Sequence, residues 1–329
     1  MSVDNDAPAG DFAELADPYR RELLAHCYRM LGSLQDAEDL VQETLLRAWR
    51  GYDAFDGRSS LRTWLYRIAT NACLSALKNS NRRVLPSGLG APTTDSATAT
   101  LDRLDTLPWL DPIPTRSFVA PSDDPATIVA VRDSTRLALI AAFQTLPTRQ
   151  RAVLILVDVV GFTSSQSAQF LDITVTAARS LLQRARATLA HDLPTQDRVV
   201  PDTDLDSDLL RRYLHAFETA DTAALAQLLR SDVEYEMPPI PTWYLGRPAV
   251  LDHHTRRVFR TPRRGIATSA NGYPALAIYL QIADGSFQAH GIQVIESQDG
   301  LITHIAVFLD KHLFPKFGLP MFLPAAVTS

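Results

Sequence analysis

Apolar side chains recur at helical spacing through roughly the first two hundred residues, and beyond Asp204 the pattern shifts to two short amphipathic helices followed by alternating strands. In Leu34–Trp49, Ala37, Val41, Leu45 and Ala48 share one helical face while Asp36, Asp39 and Glu43 share another. This predicts an amphipathic helix with an acidic side. A second helix is predicted after the turn Phe55-Asp-Gly-Arg58, capped by Ser59 or Ser60 and running from Leu61 to Lys78. Its inward stripe is Leu61, Trp64, Leu65, Ile68 and Ala72. Arg67, Asn71, Lys78 and Arg82 recur close to helical spacing on the other side. Trp64 is expected in the core, whereas Tyr66 fits either the core or stacking on an unpaired base.

A second helical block follows Leu146-Pro147. The aliphatic run Thr148–Val160 reads as a buried helix ending at Gly161, Thr163–Leu171 as a shorter polar helix, and Asp172-Ile-Thr174 as a turn. Thr174 then caps a helix from Val175 to Leu189 whose inward seam is Val175, Ala178, Leu182, Ala185 and Leu189. That seam leaves Thr176, Arg179, Gln183 and Arg186 projecting together, as a helix entering a DNA major groove requires. Between the two blocks, seven prolines in residues 84–125 predict an extended linker, because proline fixes φ and lacks an amide donor. Trp109-Leu-Asp-Pro-Ile-Pro114 is an apolar knot within it, either a docking contact or a cluster folded onto a flanking domain.

In the last third, Leu209–Phe217 and Ala223–Leu229 read as helices and Asp232–Met237 as a strand. Ala275–Ile282, Phe287–Glu296 and Leu301–Leu309, joined by Asp-Gly turns, read as an antiparallel meander. The expected fold is an α+β cone.

Charge sharpens the picture. The chain is acidic overall at −5, yet Arg58–Arg83 holds six Lys/Arg and no Asp or Glu, directly after a stretch to Asp56 with twelve acidic and five basic residues. Phosphate attracts the basic segment and repels the acidic one, so one is suited to nucleic acid and the other to a basic protein surface or simply to solvent. No apolar run approaches the length of a membrane span and no charged leader precedes a hydrophobic segment, which predicts a cytoplasmic protein without a membrane partner. Cys27 and Cys73 have no metal-ligand spacing and read as buried thiols; no cofactor or metal is expected.

The ordered series His26-Cys-Tyr-Arg-Met-Leu-Gly32, Asp36-Ala-Glu-Asp-Leu-Val-Gln-Glu43, Ala48-Trp49 and Leu61-Arg-Thr-Trp-Leu-Tyr-Arg-Ile-Ala-Thr-Asn71 resembles the second domain of extracytoplasmic-function (group IV) sigma factors. Leu146–Leu189, with Leu182-Gln-Arg-Ala-Arg186, resembles their fourth domain. Two departures stand out: Gln166 replaces a usual Glu, and the supporting helix is rich in Ser and Gln, which predicts a less stable helix there. Residues from Asp204 to Pro320 resemble the SnoaL-like branch of the NTF2 fold found behind some actinobacterial sigma factors.

The fold implied is thus multidomain: two all-α sigma domains, the second a helix-turn-helix, followed by an α+β NTF2-like (SnoaL-like) cone. The resemblance implies that Asp36, Asp39, Gln42 and Glu43 dock on the β′ clamp helices of core RNA polymerase, with the β flap as a further contact. It assigns Arg67, Asn71, Lys78 and Arg82 to the minus-10 promoter element and its opening, and Thr176, Arg179, Gln183 and Arg186 to the minus-35 element. The linker would pass the polymerase RNA-exit region. Expected boundaries are a disordered start (1–11), region 2 (12–84), linker (85–125), region 4 (126–192), linker (193–203), cone (204–320) and tail (321–329).

The cone also raises an enzyme reading. Glu234, Glu236, His253, His254, His290, Glu296 and His304 are candidate acid–base groups, since an apolar cone can tune their pKa values. Against this, Val307 occupies the position where SnoaL cyclases place a catalytic Asp. No catalytic residue is therefore assigned. An interaction role is preferred, in which the tail regulates the readers in cis, an unknown small ligand in the cone stays open, and a separate anti-sigma protein is not expected. A DNA-binding regulator independent of polymerase and a cyclase or isomerase are the competing readings.

Overall fold

The computed structural model describes residues 9–78, 81–93, 95–119, 124–192 and 203–325. In chain order the helices are α1 Ala9–Ala16, α2 Arg20–Leu31, α3 Leu34–Gly51, α4 Leu61–Ala76, α5 Pro125–Asp133, α6 Leu137–Thr145, α7 Thr148–Leu154, α8 Ser164–Phe170, α9 Val175–Asp192, α10 Thr203–Glu218, α11 Thr222–Leu228, α12 Arg247–Arg256 and α13 Leu313–Lys316. The strands are β1 Leu229–Met237, β2 Ile240–Leu245, β3 Arg263–Ala270, β4 Tyr273–Gln281, β5 Phe287–Gln298, β6 Leu301–Phe308 and β7 Phe322–Leu323. Contacts divide them into two compact units. The first holds α1–α4 and α6–α9; the second holds Arg83–Arg116, α5 and everything from α10 onward. Helix α1 begins within the stretch expected to be disordered. Residues 1–8, most of the expected 193–203 linker and the last four residues of the tail lie outside the described residues.

The first unit follows local sequence signals closely. Gly32 takes φ 69° and closes α2 with an N–H to Tyr28 O, after which Ser33 caps α3 by accepting from the Asp36 amide. Of the two candidate caps before α4, Ser60 is the one used. Ala37, Val41, Thr44 and Ala48 form the buried side of α3, and Leu45 is half-buried beside them. On α4 the buried set is Leu65, Tyr66, Ala69, Thr70, Ala72 and Cys73. The stripe is therefore rotated from the expected one, with Leu61, Trp64 and Ile68 only half-buried. Small residues at 69, 72 and 73 let that side approach its neighbours, while Trp64 stacks on Phe55 at 4.9 Å near the margin.

Helix α7 widens into a π-turn at Ile155–Val159 and stops before Gly161 at φ 85°. Thr163 and Gln166 then form a reciprocal capping box on α8. Gln at this position performs the job available to Glu, so the expected weakness of α8 is offset at its first turn. The two helical groups of this unit also pack together. Phe162 meets Tyr66 edge-on at 5.1 Å and Phe170 at 5.0 Å. The buried Arg151 guanidinium donates to Met30 O at 2.5 Å, to Gln144 Oε1 at 2.7 Å and to the Gln144 and Leu146 carbonyls.

The second unit is built on a sheet of order β2-β1-β6-β5-β4-β3, antiparallel except for the β1–β6 pair, with β7 added to β5. Tyr213 and Phe217 of α10, Leu225 and Leu228 of α11 and Val250 of α12 pack with Val233, Tyr235, Ile278, Ile295, Ile305 and Val307 of the sheet in one core. The expected meander corresponds to β4–β6. Strands β2, β3 and α12 are additions, and the Asn271-Gly272 turn that joins β3 to β4 is a local hairpin signal.

Residues of the proline-rich segment, expected as an extended linker, are irregular but tied to this unit at many points. Thr93 N donates to Trp243 O at 2.8 Å, Trp243 Nε1 to Gly90 O at 2.8 Å, Leu104 N to Pro239 O at 2.8 Å and Arg103 Nη1 to Leu309 O at 2.9 Å. Prolines deny the segment a regular ladder, so its amides and carbonyls are met partly within the segment, as in Leu110 N to Val84 O at 3.0 Å, and partly by the cone. Trp109 is buried here, its Nε1 donating to Leu104 O.

Candidate polymerase and promoter interfaces

Burial of one side of α3 turns its acidic side outward. Asp39 and Gln42 are exposed, and Asp36 and Glu43 are half-buried beside them. Glu43 pairs with Arg47 at 2.5 Å and Asp39 accepts from Gln35 at 3.0 Å. These are exposed one-turn pairs that add little to stability and exchange readily for another partner. Leu46 and Trp49, one and two turns from Gln42, are each about half exposed at 53% and 50%. The acidic row therefore borders an apolar step. Exposed apolar groups beside charge suit a protein partner better than solvent alone.

On α4 the basic side divides. Arg67 and Asn71 are exposed one turn apart, Asn71 Nδ2 donating to Arg67 O at 3.0 Å, and Lys78 and Arg82 are exposed beyond the helix end. Tyr66 takes the core alternative: it is 2% exposed, packs on His26 at 5.1 Å and donates its hydroxyl to Glu22 Oε2 at 3.2 Å. Burial pushes this phenol well above its ordinary range. Arg62 lies over the Tyr66 and Phe162 rings at 4.9 and 5.0 Å while pairing with Glu22 at 2.8 Å, so this cation is committed to packing. Burial, reinforced by Arg29 and Arg62, depresses His26 to about 3, and its Nε2 shares a hydrogen bond with Thr70 Oγ1 at 3.0 Å.

The α8–α9 pair has helix-turn-helix form. Asp172 at φ 50° makes the turn, and Thr174 caps α9 by accepting from the Ala177 amide at 3.2 Å. Ala178, Leu182 and Ala185 are buried, whereas Val175, expected in the seam, is 37% exposed at the first position of α9. Thr176, Arg179, Gln183 and Arg186 are all exposed. Val157, Ser164, Arg179, Leu182, Gln183 and Arg186 line a concavity of about 400 Å³. One member of the row is engaged: Arg186 donates from Nε and Nη2 to the two Asp158 carboxylate oxygens at 2.9 and 2.6 Å. Asp158 had no signal in the periodicity, since it joins Arg186 only through folding.

These elements can be set beside known proteins. Residues 15–83 match the Sigma-70 region 2 family and residues 136–189 the Sigma-70 region 4 family. The ECF RNA polymerase sigma factor SigG of Mycobacterium tuberculosis is 48% identical over 322 residues, covering 96% of this chain and 85% of that one. The chain is an ECF RNA polymerase sigma factor. The probable ECF sigma factor SigI of the same organism is 29% identical over 309 residues, covering 88% of this chain and 90% of that one. The crystal structure of M. tuberculosis SigJ shares the fold at TM-score 0.62 and 20% identity, covering 94% of this chain and 99% of that one. This sigma factor accordingly carries two helical sigma domains and, later in the chain, the α+β sheet domain.

In the cone, three of the candidate acid–base groups come together. His304 Nε2 lies 2.8 Å from Glu236 Oε1 and its Nδ1 3.5 Å from Glu296 Oε1. Burial opposes the charged ring, but hydrogen bonds and charge from the two carboxylates outweigh it and hold His304 well above its ordinary range. Glu236 also accepts from the Ser87 amide of the proline-rich segment at 3.0 Å. Strand alternation places this trio on the sheet face opposite Tyr235, Ile295, Ile305 and Val307, outside the apolar core. His253 and His254 are separate from it, buried among Tyr235, Tyr244 and Phe217, and burial lowers them to about 3 and about 4. Glu234 is half-buried and stands opposite His304 in the β1–β6 register, and His290 is exposed. Among the described residues no His, Cys, Asp or Glu group has the arrangement of a metal site, and no helix is long and apolar enough to cross a membrane.

Proposed function

We propose that this sigma factor binds core RNA polymerase through the acidic side of α3, reads the minus-10 element with Arg67, Asn71, Lys78 and Arg82, and reads the minus-35 element with Thr176, Arg179, Gln183 and Arg186. The observation that carries the reading is the outward row of Asp39, Gln42 and Glu43 beside Leu46 and Trp49. A DNA-binding regulator that ignored polymerase would have no use for it. The β′ clamp helices and the β flap are the expected docking points, and the cytoplasm is where polymerase is met. Run-off transcription with purified core enzyme tests this: Asp39→Lys with Glu43→Lys should abolish co-purification with core and transcription while leaving the fold intact, because exposed charges contribute only ~0–1 kcal/mol to stability. A normal transcript from that variant would overturn the assignment.

The cone is proposed to regulate the readers in cis. Support comes from the strapped segment, whose chain continues directly into α4 at one end and, through α5, toward α6 at the other. Asn271, at the β3–β4 turn, accepts from Ile113 N at 3.1 Å, donates to Ile113 O at 2.9 Å through its own amide and donates Nδ2 to Thr135 O at 2.8 Å. The cone thus holds both ends of the connection. In the Glu236–His304–Glu296 trio, Glu236 is committed to both His304 and the Ser87 amide, which suits a fastening role better than proton transfer. Asn271→Ala and Trp243→Ala should each loosen the strap and change transcription by the full-length protein; equal transcription from both would remove the regulatory role. Control from within the chain is compatible with a separate anti-sigma protein as well.

A further inference from the structure

Arg186 is the one member of the α9 row whose guanidinium is already engaged. Its Nε and Nη2 meet both oxygens of Asp158, a residue supplied by the widened turn Ile155–Val159 at the end of α7. A free arginine on a DNA-facing helix has two competing uses. It can swing to whichever phosphate is nearest, which strengthens binding to any sequence, or it can present its planar fork to a base edge. The two-point pairing removes the first option in three ways. It neutralises the charge, it orders a side chain that would otherwise lose freedom on binding, and it sets a carboxylate where a phosphate would need to approach. The N–H groups turned away from Asp158 stay available as a fixed donor edge beside Gln183 and Arg179, which line the same concavity.

We propose that Asp158 is a specificity-determining positioning residue of upstream promoter recognition. It orients Arg186 toward the paired acceptors of a guanine edge and suppresses its use on phosphates. The inference rests on the reading of α9 as the minus-35 helix and adds to it a residue outside that helix.

Holoenzyme assembled from core polymerase and the full-length protein is used to select from a pool of random-sequence duplexes, and binding of the selected and an unrelated duplex is then measured across a salt series. Asp158→Asn should lower the specific-to-nonspecific ratio about tenfold, mainly by tightening nonspecific binding, and steepen the salt slope by about one ion. It should also erase base preference at a single position. Asp158→Glu should restore that preference, and Asp158→Asn should add nothing once Arg186 is alanine. An unchanged ratio and slope in Asp158→Asn, or the same change in the Arg186→Ala background, overturns the proposal. Arg179→Ala and Gln183→Ala separate the two levels. If they abolish sequence preference while Asp158→Asn does nothing, only the role of Asp158 fails; if they too leave it unchanged, α9 is not the reader and the proposal falls with it.

Discussion

Helices α4 and α9 present similar rows of polar side chains, yet the fold treats them differently. On α4, two of the groups most suited to nucleic acid, Arg62 and Tyr66, are absorbed into a packed cluster with Glu22, His26 and Phe162. Arg67, Asn71, Lys78 and Arg82 remain outward. Among the described residues of α9, only Ala178, Leu182 and Ala185 are well buried and the whole row stays open, with Arg186 held by a neighbour rather than by the core. Helical spacing alone gives a residue's direction around one helix. What lies in that direction depends on how many other elements crowd the helix, and α4 is crowded by α2, α3, α7 and α8.

The contrast can be broken most forcefully at Tyr66. Tyr66→Ala removes a buried ring and should cost about 3–5 kcal/mol of stability, read as a large drop in the thermal unfolding midpoint. If the protein unfolded normally but transcription failed, Tyr66 would be a DNA contact after all. Arg151→Ala should follow at about 2–4 kcal/mol, since the charged donor satisfying Met30 O and Gln144 is lost from a buried site. Unchanged thermal unfolding in that variant would show that the two helical groups do not depend on this contact.

Next in size are the outward groups. Arg179→Ala and Gln183→Ala should each weaken recognition of the upstream element by roughly 1–3 kcal/mol, and Asn71→Ala should impair the downstream element and its opening, all with stability changed by less than about 0.5 kcal/mol. Footprinting and calorimetry on the same samples separate the two effects. The core under α4 should also respond to acid. His26 is held near 3 when folded against an ordinary 6.5, so unfolding takes up a proton. Its neutral form supports stability fully above about 6.5, and that support is lost as pH falls toward 3. The unfolding midpoint should therefore drop between pH 7 and 5, and His26→Gln should flatten that slope; an equally steep slope in the variant would remove His26 as the cause. The smallest effect is expected at Val175, where Val175→Thr on the exposed first turn of α9 should change stability by less than about 0.5 kcal/mol.

Much of the fold was legible in the chain. The cap Thr174, the Ser59-Ser60 cap site before α4, the stop at Gly161 and the Asp-Gly turns of the meander are signals carried within a few residues, and helices α3, α4 and α9 and strands β4–β6 follow from apolar spacing near the expected bounds. The rotated stripe of α4 was not legible. Ala69, Thr70 and Cys73 are buried because small residues permit close approach, whereas the large apolar side chains that dominate the periodicity are Leu61 and Trp64. Strand β3 was missed because Arg263–Ala270 mixes charge, glycine and small residues, and only pairing with β4 makes it a strand.

What the sequence determined by itself was therefore local: which segments become helices, where they start and stop, the acidic side of α3, and the outward row of α9. Tertiary structure alone decided the partners. Asp158 reaches Arg186 across 28 positions, Phe162 covers Tyr66, Glu236 and Glu296 close on His304 from neighbouring strands, and the proline-rich segment finds hydrogen bonds on the cone. The physical reason is the same in each case. Caps, turns and periodicity depend on backbone geometry over one or two turns, whereas burial, ion pairing and the satisfaction of stray amides depend on groups distant in the chain that only packing brings within reach.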